Sequence, residues 1–161
     1  MKPKVFEDIC MRIPYKPLAK VKDYGAAYNE WVTCATFQDL MSANRLSVKL
    51  YLRPLIDART EELESLLTIK MLETMSIAAI QRIASYEKTF INTQKCEYWE
   101  IKVYFTDGDI RVFNIGVHTP SCETSLAVIK YLLSKHFDIH KLIPNGDAVN
   151  VNKEFYDEQL I

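Results

Sequence analysis

The sequence predicts an α+β fold in which a small antiparallel or mixed sheet is packed by helices. Two segments alternate apolar and polar residues as strands do, one at 98–115 that breaks at Asp107-Gly108 and one at 47–53. Elsewhere apolar residues recur at spacings of three and four, which is typical of amphipathic helices. A short alternating run at 147–151 predicts a further strand of the same sheet.

Length and composition favour one domain. The chain has 161 residues, of which 48% are hydrophobic and 25% charged, as in ordinary globular proteins. We therefore expect a single domain over 1–161, with a helix-rich region 1–93, a β-β-α-β region 94–152 and a tail 153–161 that docks or frays.

The N-terminal segment combines a short helix with positive charge. Apolar residues from Val5 to Ile13 have helical spacing, and Pro3 and Pro14 confine that helix to about two and a half turns. Residues 1–22 contain six Lys or Arg residues against two acidic ones. This excess favours a solvated arm, with an anionic partner as the alternative.

The next segments alternate between helix and strand signals. Residues 25–44 favour a helix, although 31–34 is also compatible with an extended segment. The following strand stops before Pro54 and should direct three side chains into the core, namely Val48, Leu50 and Leu52.

A helical pattern then runs from Glu61 to Tyr86, with Thr60 as the expected N-cap. One helix of that length would extend about 39 Å, so a break near 74–76 with Ser76 capping a second helix is the better prediction. The polar stretch 87–95 is expected to be a connection.

The 98–115 segment predicts a β-hairpin with a two-residue turn at Asp107-Gly108. Its core face would then contain the pairs Phe105–Ile110, Val103–Val112 and Ile101–Asn114. The opposite face would mix aromatic rings with cations, which suits a partly covered or solvent-facing surface. Its candidate binding residues are Lys102, Tyr104, Arg111 and Phe113.

Pro120 to about His136 is predicted to form an amphipathic helix laid across this hairpin. His118, Cys122, His136 and His140 superficially resemble a zinc-ligand pattern, but that helix would place Cys122 about 21 Å from His136. His136 and His140 remain weak metal candidates at helical spacing. We expect neither a metal nor a cofactor, and no glycine motif for nucleotide phosphates is present.

The sequence contains few signals of cellular targeting or of redox chemistry. No apolar run approaches the ~18 residues that cross a bilayer, and no signal-peptide core follows the first residues, so we expect a cytoplasmic protein without a membrane partner. The four cysteines show no paired spacing and are expected to be reduced thiols.

Two phrases of the sequence resemble a known family. They are Lys-Leu-Tyr-Leu-Arg-Pro-Leu at 49–55, followed by Thr-Glu-Glu at 60–62, and Lys-His-Phe-Asp-Ile-His-Lys-Leu-Ile-Pro-Asn-Gly at 135–146. Both resemble segments of small uncharacterised proteins from Bacteroidales phages and prophages, although Asp147 occupies a position that is usually apolar there. The resemblance implies a mobile-element origin and no particular activity.

These observations favour a non-enzymatic phage or prophage accessory protein that acts through a host or virion protein partner. The alternative is a nucleic-acid-binding protein that uses the basic N-terminal segment and the aromatic and basic sheet face. An enzyme with an unrecognised site is the third hypothesis, since no catalytic residues stand out.

Overall fold

The computed structural model describes residues 2–23, 32–34, 46–93, 96–118 and 124–159. The chain divides into two compact units. The first, here the discontinuous unit, comprises Met1–Pro54 and Leu132–Ile161, and the second, the central unit, comprises Leu55–Tyr131. The single-domain prediction for 1–161 stays a prediction.

The described residues contain five helices and seven strands, and the predicted α+β class is confirmed. In chain order the elements are α1 Pro3–Arg12, β1 Ala19–Asp23, β2 Val32–Cys34, β3 Leu46–Leu52, α2 Thr60–Leu72, α3 Ile77–Ile80, β4 Ile83–Asn92, β5 Glu97–Phe105, β6 Ile110–His118, α4 Leu126–Ser134, β7 Ala148–Asn150 and α5 Lys153–Gln159.

The strands form two sheets, which corrects the prediction of one. In the discontinuous unit the order is β2-β1-β3-β7, with β7 parallel to β3 and the other neighbours antiparallel. The central unit contains the antiparallel sheet β4-β5-β6. The hairpin therefore pairs with β4, a strand that the sequence did not predict, and not with the strand at 47–53.

The core of the discontinuous unit forms where α1 packs on the sheet. Val48, Leu50 and Leu52 are buried, as predicted from the alternation of β3. Val5 and Ile9 of α1 join them in one apolar cluster. The predicted N-terminal helix is thus confirmed, but it is a packed element of the fold, so the expectation of a solvated arm is wrong for it.

Three other predictions for this unit have different outcomes. The helix predicted at 25–44 is wrong at Val32–Cys34, which is strand β2, and the rest of that range lies outside the described residues. The tail docks through α5, where Tyr156 is buried. The predicted strand at 147–151 is confirmed as β7.

The helical pattern at 61–86 is interrupted where expected. α2 ends at Leu72, and the Ser76 hydroxyl accepts a hydrogen bond from the Ala79 N–H at the start of α3. The N-cap of α2 is Arg59 and not Thr60, with the Glu62 carboxylate accepting from the Arg59 N–H at 3.0 Å.

The segment after α3 is strand β4, where helix and a polar connection were predicted. β4 lies at one edge of its sheet and most of its side chains are exposed or half-buried, so its sequence lacks the strict alternation of a strand with one buried face. The helix predicted over 120–136 is observed as Leu126–Ser134, and residues 119–123 lie outside the described part.

The predicted hairpin exists, but its register is shifted by one residue. The Gly108 N–H donates to the Phe105 carbonyl, the Phe105 N–H donates to the Asp109 carbonyl, and Gly108 has a φ of +89°. These bonds define a three-residue loop with glycine in the left-handed region. Tyr104, and not Phe105, therefore pairs with Ile110, and β6 presents to the core the face opposite to the predicted one.

Candidate functional site

One face of the central sheet is covered. Ile101, Val103 and Phe105 are buried there as predicted, together with Phe113 and Ile115 of β6. Side chains of β4 that share this face reach α2: the Tyr86 hydroxyl donates to Glu64 at 2.7 Å, and the Lys88 ammonium donates to the Thr60 hydroxyl at 2.9 Å. Helix α2 therefore packs on this side of the sheet.

The opposite face carries an exposed sheet patch, defined here as Lys102, Tyr104, Ile110 and Val112. Cross-strand pairing places Tyr104 beside Ile110 and Lys102 beside Val112. Ile110 is 50% exposed and Val112 is 53% exposed, although both are β-branched aliphatic residues. These two side chains and the Tyr104 ring form a contiguous apolar surface.

Polar groups border this patch. The Lys102 ammonium lies 5.5 Å from the centre of the Tyr104 ring, and the Tyr104 hydroxyl donates to the Glu87 carboxylate at 3.2 Å. Glu100 lies on the same face, two residues along β5 from Lys102. Two carboxylates and one ammonium therefore surround the apolar centre.

The four residues predicted to share a binding face are divided by the register shift. Lys102 and Tyr104 are on the exposed patch, whereas Arg111 pairs with Val103 and Phe113 pairs with Ile101 on the covered face. Phe113 is buried in the core, and the Arg111 Nε lies 3.6 Å from the Asp109 carboxylate. The prediction of one aromatic and basic face is wrong, because it assumed a two-residue turn.

The discontinuous unit contains a different feature, a buried ionic cluster. The fully buried Arg12 guanidinium donates to both carboxylate oxygens of the fully buried Asp8, one turn earlier in α1. A third nitrogen contact runs from His140 Nδ1 to the Asp8 carboxylate at 2.7 Å. Burial raises the pKa of Asp8, but the hydrogen bonds and charges of His140 and Arg12 outweigh it and hold that pKa below its ordinary value.

Arg53 is the second buried cation of this unit. It follows β3, its guanidinium lies 4.3 Å from the centre of the buried Phe137 ring, and its Nη1 donates to the Lys135 carbonyl at 3.1 Å. Arg12 reaches the same segment, donating to the Phe137 carbonyl at 2.6 Å. Both arginines therefore hold the turn that follows α4.

His136 and His140, the weak metal candidates, do not converge. α4 ends at Ser134 and His136 has a φ of +66°, so the two residues are not on one helix. The His136 ring stacks on Tyr156 with ring centres 3.8 Å apart, whereas His140 contacts Asp8. Within the described residues no group of three His, Cys, Asp or Glu side chains could hold a metal ion, and Cys122 lies outside them.

The conformation of the 135–146 phrase has a local physical cause. The Asp138 carboxylate accepts hydrogen bonds from three backbone N–H groups, those of His140, Leu142 and Ile143. Phe137 and Leu142 fill the core, and Gly146 adopts a φ of +76° at the turn into β7. The conformation of residues 135–146 is therefore explained by local hydrogen bonds and core packing.

Sequence reasoning missed Asp8, Arg12, Arg53 and Tyr156. Asp8 and Arg12 do carry a signal, because an acid and an arginine four residues apart lie on one helix face. That spacing is equally common on solvent-exposed helices, and nothing local to α1 indicates that His140 lies against it. Arg53 and Tyr156 show no distinguishing pattern.

No protein-family model, curated protein or solved structure matches this chain. In the part of the chain that the structure describes, no helix has both the length and the apolar character needed to cross a membrane. The fold and surface therefore define the protein only as an α+β protein with an exposed apolar patch and a buried ionic cluster.

Proposed function

We propose that the protein is a non-enzymatic binding protein and that its exposed sheet patch binds another protein. The observation that carries this proposal is the half exposure of Ile110 and Val112 next to Tyr104 on one sheet face. Contiguous exposed apolar side chains of this kind mark interaction sites more often than isolated ones do. Their burial against a partner contributes about 25 cal/mol for each Å² of apolar area removed from water.

The patch has the composition of a small protein interface. Its centre consists of two aliphatic side chains and one tyrosine, and its rim is charged by Lys102, Glu87 and Glu100. The matching partner surface has apolar side chains at its centre and a basic side chain opposite Glu100. In keeping with the phage and prophage resemblance, we assign the partner to a host or virion protein met in the host cytoplasm.

Nucleic acid is the less favoured partner. The two carboxylates around the patch repel phosphates, and Arg111 and Phe113 are not there to bind or stack on a strand. In the basic N-terminal segment, Lys2 contacts Asp147 at 2.8 Å and Arg12 is occupied by Asp8.

The test begins with a photoreactive amino acid placed at position 112, and separately at position 111 on the other face of the same strand. Proteins crosslinked from position 112 and not from position 111 are purified and titrated against the wild-type protein. The double variant Ile110→Thr/Val112→Thr keeps β-branched side chains and should bind at least about 10-fold more weakly, because methyl groups at the centre of the interface are lost.

Arg111→Gln is the matched control, since it changes the same strand on the covered side and should leave the affinity unchanged. Equal affinity of the double variant and the wild type would contradict the proposal. If light scattering shows a dimer that the double variant abolishes, the partner at the patch is a second copy of this chain and not a host or virion protein. Nucleic-acid binding that weakens steeply with salt would support the rival function.

A further inference from the structure

His136 is half-buried in the discontinuous unit, in a positively charged environment. Burial is the largest cause that lowers the pKa of its imidazole, and the positive charges of Arg12 in α1, Arg53 after β3 and Lys135 after α4 lower that pKa further. The one carboxylate of the buried cluster, Asp8, is already bound by Arg12 and His140. The buried Nδ1 of His136 has no hydrogen-bond partner among the described residues, so nothing there stabilises a proton on that atom.

The same residue holds two parts of this unit together. Its carbonyl accepts from the Arg53 N–H at 2.8 Å, which fixes the turn after α4 against the end of β3. Its ring stacks on Tyr156 of α5, with an angle of 2° between the ring planes. A change in the charge of this ring therefore acts directly on α5 through Tyr156.

Helix α5 is also attached to Tyr51 of β3. The buried Tyr156 hydroxyl donates to the Tyr51 carbonyl, and the Phe155 ring lies 4.8 Å from the Tyr51 ring. The helix has seven residues, too few to be stable in water without tertiary contacts. Loss of the His136 contact should therefore weaken the tertiary attachment on which the helix depends.

We propose that the stack of His136 on Tyr156 is an acid-sensitive contact: a proton on the imidazole, whose buried Nδ1 has no hydrogen-bond partner among the described residues, separates the rings and releases α5. The phenol of Tyr156 does not supply a countercharge, since burial raises its pKa and keeps it neutral. The titratable group of the contact is the imidazole alone.

The direction of the effect follows from linkage. Burial and the neighbouring cations lower the pKa of His136 to about 4, against 6.5 for an exposed histidine. The open state binds the proton more tightly, so the closed state loses stability as the pH falls from about 6.5 towards about 4. Between pH 7 and pH 5 the opening equilibrium should rise about 20-fold.

Hydrogen exchange of the backbone amides tests this proposal. After correction for the intrinsic pH dependence of exchange, peptides covering Lys153–Gln159 should lose protection about 20-fold between pH 7 and pH 5. Peptides from β5 provide the internal reference and should change much less. His136→Phe preserves a ring for stacking, cannot take the proton, and should abolish the pH dependence.

The proposal is overturned if α5 exchanges with the same pH dependence in wild type and His136→Phe. Should that variant fail to fold, an NMR titration of the wild-type imidazole decides. A midpoint below about 5, with shifts in Tyr156 resonances, is expected. A midpoint near 6.5 without movement of those resonances would contradict the proposal.

Discussion

The buried ion pair lies in the discontinuous unit, and the exposed sheet patch lies in the central unit. The discontinuous unit buries Asp8, Arg12 and Arg53, whereas the central unit leaves Ile110 and Val112 half exposed on its sheet. A buried ion pair contributes little net stability but is costly to break, because the remaining charge stays in a poorly solvating environment. The first unit should therefore be sensitive to charge and pH, and the second to loss of apolar volume.

The largest effect should follow removal of the buried carboxylate. Asp8→Ala leaves Arg12 without its counterion in the core and should lower the free energy of unfolding by about 3–5 kcal/mol. Urea denaturation measures the loss. The double variant Asp8→Leu/Arg12→Met removes both charges and should be clearly more stable than Asp8→Ala; a double variant equally unstable would show that the charge is not the cause.

A smaller loss is expected from a cavity in the central unit. Ile101→Ala removes a fully buried side chain and should cost about 3 kcal/mol, measured in the same urea titration. Val112→Thr, on the exposed patch and one position away in register, should cost less than about 0.5 kcal/mol. Comparable losses for the two variants would mean that Val112 belongs to the core, and the distinction between the two faces would fail.

The smallest of the three main losses concerns the loop that sets the register. An added Cβ at Gly108 meets no atom within 4 Å, so only its φ of +89° opposes a side chain. Gly108→Ala should therefore cost about 1 kcal/mol in thermal or urea unfolding, and Gly108→Asn less, because asparagine tolerates this region better. A neutral Gly108→Ala would argue for a turn of another type.

Much of the architecture is predictable from local patterns, and the exceptions have physical causes. The alternation of β3 and β5 fixed their inward side chains correctly, because each strand has one buried face. The dipeptide Asp107-Gly108 suits both a two-residue turn and the three-residue loop, so it predicts a hairpin without fixing the register. Because of that ambiguity, the sequence-based prediction assigned Arg111 and Phe113 to the wrong face of the sheet.

The buried ionic cluster depends on contacts that no local pattern contains. Asp8 and His140 are 132 positions apart, and Arg12 reaches Phe137 across a similar interval. α4 ends at Ser134 and His136 adopts a left-handed conformation, so His136 and His140 do not share a helix face. Only the tertiary structure shows that His136 belongs with Tyr156 and the two arginines.

Methyl NMR of the protein in the presence of its purified crosslinked partner tests the central claim most directly. Binding through the exposed sheet patch predicts that the Ile110 and Val112 methyl signals shift or broaden during the titration, while those of Ile101 and Ile115 on the covered face change little. Unchanged Ile110 and Val112 signals at saturating partner would contradict the account.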